Sequence, residues 1–262
     1  MFDFVNYTAD KAQIFILVLL RGTGIFAMAP VLGHNSLPKT IKVGLLILLS
    51  FIVVSTLNHV TLPEIQSNWE LAGLAFKEIL VGVIISLFFM LIFYGVYTAG
   101  SIVGYQIGLA MANELDKSLG TQVSVIGAFW NVIAILVFIT LNGHHLVITA
   151  FVDSYKLIPP AGVEISGSVG ELIIRYSAYI FIIALKISAP IIISLFLTDI
   201  ALGTIAKTMP TMNVFFVGFP IKIAMGLLIM AISMPIFAYV LEKGITYLNS
   251  EMNQLLLLMG RG

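Results

Sequence analysis

Apolar residues occupy most of the chain in long runs, which polar and charged residues interrupt at only a few places. Hydropathy marks about six segments, each near the roughly 20 residues that a helix needs to cross a bilayer core of about 30 Å. They cover residues 12–29, 43–57, 79–113, 123–152, 172–198 and 223–241. The pattern predicts an all-α, membrane-associated protein with about six apolar helical segments arranged as kinked hairpins.

The third segment is too long for one straight span. Residues 79–113 contain no charged side chain, and as a single α-helix they would extend about 50 Å. Its last part carries a small residue at every fourth position: Gly100, Gly104, Gly108 and Ala112. Such a stripe lets another helix approach closely, whereas repeated glycine weakens a helix. The pattern leaves two interpretations: a helix-packing face formed by Gly100, Gly104 and Gly108, or a bendable segment that lines or closes a passage.

A second irregular stretch lies between residues 200 and 222. It is too apolar for a solvated loop, and glycine and proline interrupt it too often for one helix. Irregular backbone at membrane depth is tolerated only where protein buries it or where it lines a cavity. We therefore predict broken elements near 100–120 and 200–222. The second would face a channel or a neighbouring subunit through Asp199, Pro210, Met212, Asn213, Phe215, Gly218, Pro220 and Lys222.

Composition supports membrane residence. The chain is 60% hydrophobic and 10% charged, with a mean hydropathy of +1.08, against about 25% charged residues in soluble domains. Its net charge is zero and it has no cysteine, so a nucleic-acid partner and a disulfide framework are not expected.

Lys and Arg are nearly balanced between the two sides of a six-span bundle, which indicates that some apolar segments do not span lipid. The acidic N-terminus favours a retained first helix over a cleaved signal peptide.

Four charged residues lie in or against apolar segments: Arg21, Lys186, Asp199 and Lys222. A charge in a membrane costs at least about 2.5 kcal/mol, so such residues line ion pathways or pair with opposite charges. We favour helix ends or pairing across subunits over an ion relay. His144 and His145 are adjacent and point about 100° apart on a helix, which disfavours a shared metal ion. Hydrolase and nucleotide-binding motifs are lacking, and we expect neither enzymatic activity nor a cofactor.

An ordered set of short motifs resembles the flagellar biosynthetic protein FliR family. They are Ala29-Pro30-Val31-Leu32, Leu37-Pro38-Lys39, Thr98-Ala99-Gly100, Gly104 to Leu109, Met111-Ala112, Asn142-Gly143-His144, Asp153-Ser154, Leu202-Gly203 and Phe215 to Pro220. Each motif alone is weak. The set is specific because its members follow one another in the family's order over nearly the whole chain.

The resemblance implies a single export-gate domain over residues 1–262, in the R-type subunit of the flagellar type III secretion apparatus at the bacterial inner membrane. One R copy would assemble with P-type and Q-type subunits, beside a B-type subunit, into a helical hetero-oligomer that passes unfolded flagellar proteins. The segment matching residues 104–112 would plug the closed channel through Gly104, Gln106, Gly108, Leu109, Met111 and Ala112. Two rival functions remain: a stand-alone secondary transporter with a site at the broken segments, and a structural assembly factor.

Overall fold

The apolar segments fold as α-helices, and no strand occurs in the part of the chain that the structure describes. The computed structural model describes residues 2–34, 37–57, 67–109, 124–163, 167–211 and 213–260. Its helices are α1 (Phe2–Met28), α2 (Lys39–Thr56), α3 (Asn68–Ile107), α4 (Val125–Thr140), α5 (Gly143–Leu157), α6 (Gly167–Ser177), α7 (Tyr179–Thr208), α8 (Val214–Ile232) and α9 (Met234–Gly260). The predicted all-α class is confirmed.

Four helical stretches in these ranges are long and apolar enough to cross a membrane. They are Lys11–Met28, Lys39–Thr56, Trp69–Ile107 and Gly167–Thr208. Two bent pairs, α4 with α5 and α8 with α9, bring the number to six if each pair counts as one span. The prediction of about six apolar segments is therefore confirmed, with kinks inside two of them.

The long helix α3 begins earlier than hydropathy predicts. The apolar run starts at Ile79, whereas the helix starts at Asn68. Ser67 precedes the helix, and its hydroxyl accepts a hydrogen bond from the Trp69 N–H at 3.3 Å. This bond satisfies one of the N–H groups that a helix start leaves without a partner. The charged residues before Ile79 are therefore part of the helix and do not mark its beginning.

The fourth apolar segment is two helices, although the sequence predicts one. Helix α4 ends at Thr140 and α5 begins at Gly143, with Asn142 between them at a φ of 55°. That left-handed conformation interrupts α-helical hydrogen bonding, and asparagine tolerates it better than most residues. Hydropathy does not detect this break because the residues on both sides are apolar.

The helices of the sixth apolar segment also begin and end at residues other than those that hydropathy predicts. Helix α8 starts at Val214 and contains Pro220, so the second broken stretch narrows to residues 209–213, with residue 212 outside the described part. A bend of 55° at Ser233 separates α8 from α9. Pro235 explains the bend, because proline lacks an N–H and clashes with the carbonyl group four residues earlier. The amphipathic tail predicted after residue 248 continues α9 without interruption.

The chain forms two units that are each compact. The first contains Met1–Leu91, Asn142–Ser177 and Ile245–Gly262, and the second contains Ile92–Leu141 and Ala178–Gly244. Helices α3 and α9 each contribute residues to both. The single export-gate domain over residues 1–262 stays a prediction.

In the first unit, α1 and α3 cross with their backbones in contact. A Cβ atom on Gly24 would stand 2.4 Å from the carbonyl oxygen of Ile79, and one on Gly82 would stand 2.1 Å from the carbonyl oxygen of Arg21. No side chain fits at either position, so this crossing depends on glycine in both helices.

A fully buried ion pair joins the same two helices. The Nε of Arg21 donates to a carboxylate oxygen of Glu78 at 2.7 Å, and both side chains are 0% exposed. Arg21 also donates from Nη1 to the Ser154 hydroxyl at 2.9 Å and to the Ile158 carbonyl at 3.2 Å. The other Glu78 oxygen accepts the N–H of Ala161 at 2.9 Å. Arg21 is therefore paired within the chain, whereas the sequence predicts a helix end or a partner in another subunit.

In the second unit, α4 packs against both α3 and α9 through aromatic residues. Phe93 of α3 meets Phe138 of α4 edge to face, with ring centres 5.4 Å apart. The ring centres of Trp130 in α4 and Phe237 in α9 are 5.6 Å apart. Such aromatic pairs bury large apolar areas and favour one relative orientation of the rings. This core positions the last turns of α3.

Candidate functional site

The predicted plug begins inside α3, at the point where that helix ends. Gly104 lies in the last turn, and the helix stops at Ile107. The N–H of Gly108 donates to the Tyr105 carbonyl at 3.0 Å, and the N–H of Leu109 donates to the Gly104 carbonyl at 3.1 Å. Together with the φ of 94° at Gly108, these bonds form a Schellman motif, which closes the C-terminus of a helix.

The glycine stripe is shorter than its four-residue spacing predicts. A Cβ atom on Gly100 would stand 2.5 Å from the Cα of Gly127, and one on Gly104 would stand 3.3 Å from the Ser124 hydroxyl, so both glycines face the start of α4. Gly108 does not continue this face, because the helix ends before it and its left-handed φ favours glycine for a different reason. The first two glycines therefore pack helices, and the third ends one.

Ser124 connects the start of α4 to the end of α3. Its hydroxyl accepts a hydrogen bond from the Gly127 N–H at 3.0 Å, which caps α4. Its own N–H donates to the Tyr97 hydroxyl at 3.2 Å, and its hydroxyl donates to the Gly100 carbonyl at 3.4 Å. The apolar pattern does not predict this contact, although a serine directly before an apolar run is a recognisable helix start.

Helix α8 packs on the last turn of α3. The Phe219 ring lies 3.0 Å from the position of a Cβ atom on Gly108. About two turns later in α8, Gly226 leaves space for the Ile107 side chain. A Cβ atom on Gly226 would stand 2.6 Å from Cδ1 of Ile107. Helix α8, which follows the second broken stretch, thus covers the end of α3, where the predicted plug begins.

Three polar side chains meet beside this helix end. The Lys222 ammonium lies 3.0 and 3.1 Å from the two carboxylate oxygens of Asp199, and the Gln106 amide nitrogen lies 3.5 Å from one of them. The residues come from α8, α7 and α3, so the cluster joins three helices. The side chain of Asp199 is 39% exposed, and ion pairs this accessible contribute at most about 1 kcal/mol. The connection can therefore separate at low cost.

The other described residues of the predicted broken stretch differ in burial. Three are exposed: Pro210, Asn213 and Pro220. Gly218 is buried, with the Leu202 side chain 3.1 Å from the position of a Cβ atom. The backbone of Phe215 lies in α8, and its side chain is outside the described part. Three residues lie outside the described ranges: Met111, Ala112 and Met212.

Large apolar side chains are exposed on α7 and α8 around the cluster. They include Ile193, Phe196, Leu197, Ile200, Phe216, Val217, Leu227 and Leu228. Apolar surface of this extent marks contact with a membrane or with other proteins. No group of three or more potential metal ligands occurs in the described part of the chain. The rings of His144 and His145 meet edge to face, with their centres 4.3 Å apart.

Replacing Gly100 with alanine should destabilise the chain, because the added methyl group would meet the backbone of α4. Overpacking of this kind costs about 1–3 kcal/mol. Gly44 of α2 is the matched control, since a Cβ atom there meets nothing within 4 Å. We expect Gly44→Ala to stabilise the chain by up to about 1 kcal/mol through helix propensity. Thermal unfolding in detergent measures both, and equal effects of the two substitutions would contradict close packing at Gly100.

Comparison with known proteins places this arrangement in a family. Residues 12–248 match the family described as "Bacterial export proteins, family 1". The flagellar biosynthetic protein FliR of Bacillus subtilis (strain 168) is 34% identical over 262 residues, covering 98% of this chain and 99% of the relative. That of Escherichia coli (strain K12) is 30% identical over 222 residues, covering 84% of each chain. The resemblance in the sequence is confirmed, and the chain belongs to the FliR family of bacterial export proteins.

Proposed function

We propose that this chain is a core channel subunit of the flagellar type III protein export gate, and that it helps to form a conduit for unfolded flagellar proteins. Membership of the export family supports this role. The exposed apolar faces of α7 and α8 support it further, because they leave a surface for lipid or for other subunits.

The chain works in an assembly with other components of the export apparatus, in a membrane. The proposal includes the subunits of this assembly and its location. One copy of this chain joins several P-type and Q-type subunits, with a B-type subunit alongside, at the bacterial inner membrane and the flagellar basal body. A complex in which protein covers most helices would also account for the balance of Lys and Arg between the two sides.

Residues 104–113 act as the internal plug of this conduit. The observation that carries this proposal is the closed end of α3: a Schellman motif at Gly108 that α8 covers through Phe219. The helix is therefore terminated at a defined residue directly before the glycine- and methionine-containing segment. Such a segment yields to passing side chains of different sizes, since glycine relaxes the backbone and methionine adapts its shape.

Site-specific crosslinking tests the plug directly. A photoreactive amino acid at position 109 or 111 should crosslink to an export substrate that is stalled in the gate. The same group at Leu48, an exposed residue of α2, serves as the control and should give little or no product. Absence of substrate crosslinks from both 109 and 111 would contradict the plug.

The stand-alone transporter is the second candidate. The charged residues Asp199 and Lys222 favour it, since ionisable residues in membrane segments mark substrate and ion pathways, and transporters place such sites at broken helices. Affinity purification distinguishes the two. A gate subunit brings down P-type and Q-type hydrophobic proteins, whereas a transporter is recovered alone or as a homodimer. An assembly factor would co-purify as well, but it would not crosslink to substrate.

A further inference from the structure

Lys186 lies on the exposed face of α7, among apolar residues. It is near the middle of Gly167–Thr208, the stretch that is long and apolar enough to cross a membrane. Ile182, Leu185 and Ile193 surround it on the helix surface and are 45%, 59% and 60% exposed. A cation thus lies within a surface that is otherwise suited to lipid or to another apolar helix.

No side chain or carbonyl group of the described residues pairs with Lys186. Two other cations in apolar segments behave differently: Arg21 pairs with Glu78, and Lys222 pairs with Asp199. A charge in apolar surroundings is costly unless an opposite charge compensates it. Among the residues that the structure describes, Arg21 and Lys222 each have such a charge beside them, and Lys186 has none.

Lipid headgroups are a poor source of the missing charge. A lysine near the end of a span reaches the headgroups with its flexible stem. Lys186 is not at an end, because exposed apolar side chains continue on both sides of it along α7, from Phe181 to Ile200. The compensating anion is better supplied by protein at the same depth.

We propose that this face of α7 docks an apolar helix of a neighbouring gate subunit, and that a carboxylate of that helix pairs with Lys186. The inference rests on the proposed function, since the neighbour is a P-type or Q-type subunit. The apolar side chains around Lys186 supply the contact area. The ion pair fixes the register of the two helices, as single polar residues do in other helix interfaces.

Charge reversal in the co-expressed complex tests the proposal. The amount of complex is read on a native gel after purification through a tag on this chain. We expect Lys186→Glu to lower complex formation about tenfold or more, Lys186→Met to lower it less, and Lys186→Arg to preserve it. Lys39→Glu is the matched control, because Lys39 is exposed at the start of α2 and no described residue pairs with it.

Rescue identifies the partner. Each Asp or Glu in the apolar segments of the P-type and Q-type subunits is changed to Lys, and one of these changes should restore assembly with Lys186→Glu. The chain has no cysteine, so Lys186→Cys and a cysteine at the rescuing position should then form a unique disulfide. The unfolding temperature of the variant chain, expressed alone, detects a folding defect, and if it falls, Lys186→Met carries the test.

Four outcomes decide the matter. Rescue by one carboxylate supports the proposal. Normal assembly of both Lys186→Glu and Lys186→Met overturns it while the gate role stands. An effect of these substitutions that requires anionic lipid, with no rescuing carboxylate, overturns it in favour of a headgroup contact. Failure of the unchanged chain to form any complex overturns the proposed function and the inference together.

Discussion

Cells whose export gate lacks residues 104–113 should leak small ions while export is idle. A narrow apolar constriction blocks ions because water leaves it, so removing the constriction leaves a hydrated path. Each reduction of the ion's barrier by about 1.4 kcal/mol raises the flux about tenfold. The measurement is conductance of the purified gate in planar bilayers, together with the membrane potential of growing cells.

The deletion also removes the last turn of α3, so a milder variant is needed. Leu109→Ser with Met111→Ser makes the segment wettable and leaves the Schellman bonds of Gly108 and Leu109 intact, since these involve only the backbone. We expect a smaller leak in the same direction. Leu48→Ser with Ile52→Ser on the exposed face of α2 is the control. Unchanged conductance in the deletion and in the double variant would mean that the plug lies elsewhere.

Breaking the buried ion pair with a single substitution should strongly destabilise the first unit. Glu78→Ala leaves the Arg21 guanidinium fully buried without its carboxylate, and it also removes the acceptor of the Ala161 N–H. Loss of one partner of a buried pair costs about 3–5 kcal/mol. A denaturant titration of the purified chain in detergent, followed by far-UV circular dichroism, measures this loss.

The exposed pair on α5 is the internal control. Lys156 and Asp153 are also 2.7 Å apart, but the lysine side chain is 72% exposed, so Asp153→Ala should cost less than about 1 kcal/mol. Replacing both buried partners, as Arg21→Met with Glu78→Leu, should recover part of the stability, because no unpaired charge is left, although the Ala161 N–H still lacks its acceptor. If Glu78→Ala costs no more than Asp153→Ala, the Arg21–Glu78 pair does not stabilise the folded chain.

The helical class and the number of apolar segments could be predicted from the sequence, because both follow from the length and hydropathy of local runs. The end of α3 could not. Glycine at every fourth position is compatible with a continued helix, and what selects the left-handed turn at Gly108 includes the packing of Phe219, more than a hundred residues later in the chain. Tertiary contacts of this kind override local propensity.

The buried charges show the same limit. Arg21 stands out in an apolar run, but its partner Glu78 lies next to Lys77, and two adjacent charges are usually the boundary of a segment. The sequence therefore indicates that Arg21 needs a partner without indicating which one. Asp199, Lys222 and Gln106 were each singled out, yet their meeting in one cluster depends on how α3, α7 and α8 pack.

The first unit is built from three separate segments of the chain, and this affects when it can fold during synthesis. Its three pieces include both ends of the chain, and Leu255, Leu256 and Met259 near the C-terminus are completely buried in the structure. A nascent chain emerges from the ribosome N-terminus first, so this unit lacks part of its interior until residues 245–260 have been synthesised. The second unit comes entirely from earlier sequence and has no such delay. Translation thus allows the second unit to fold before the first, since the first needs the residues that follow Gly244.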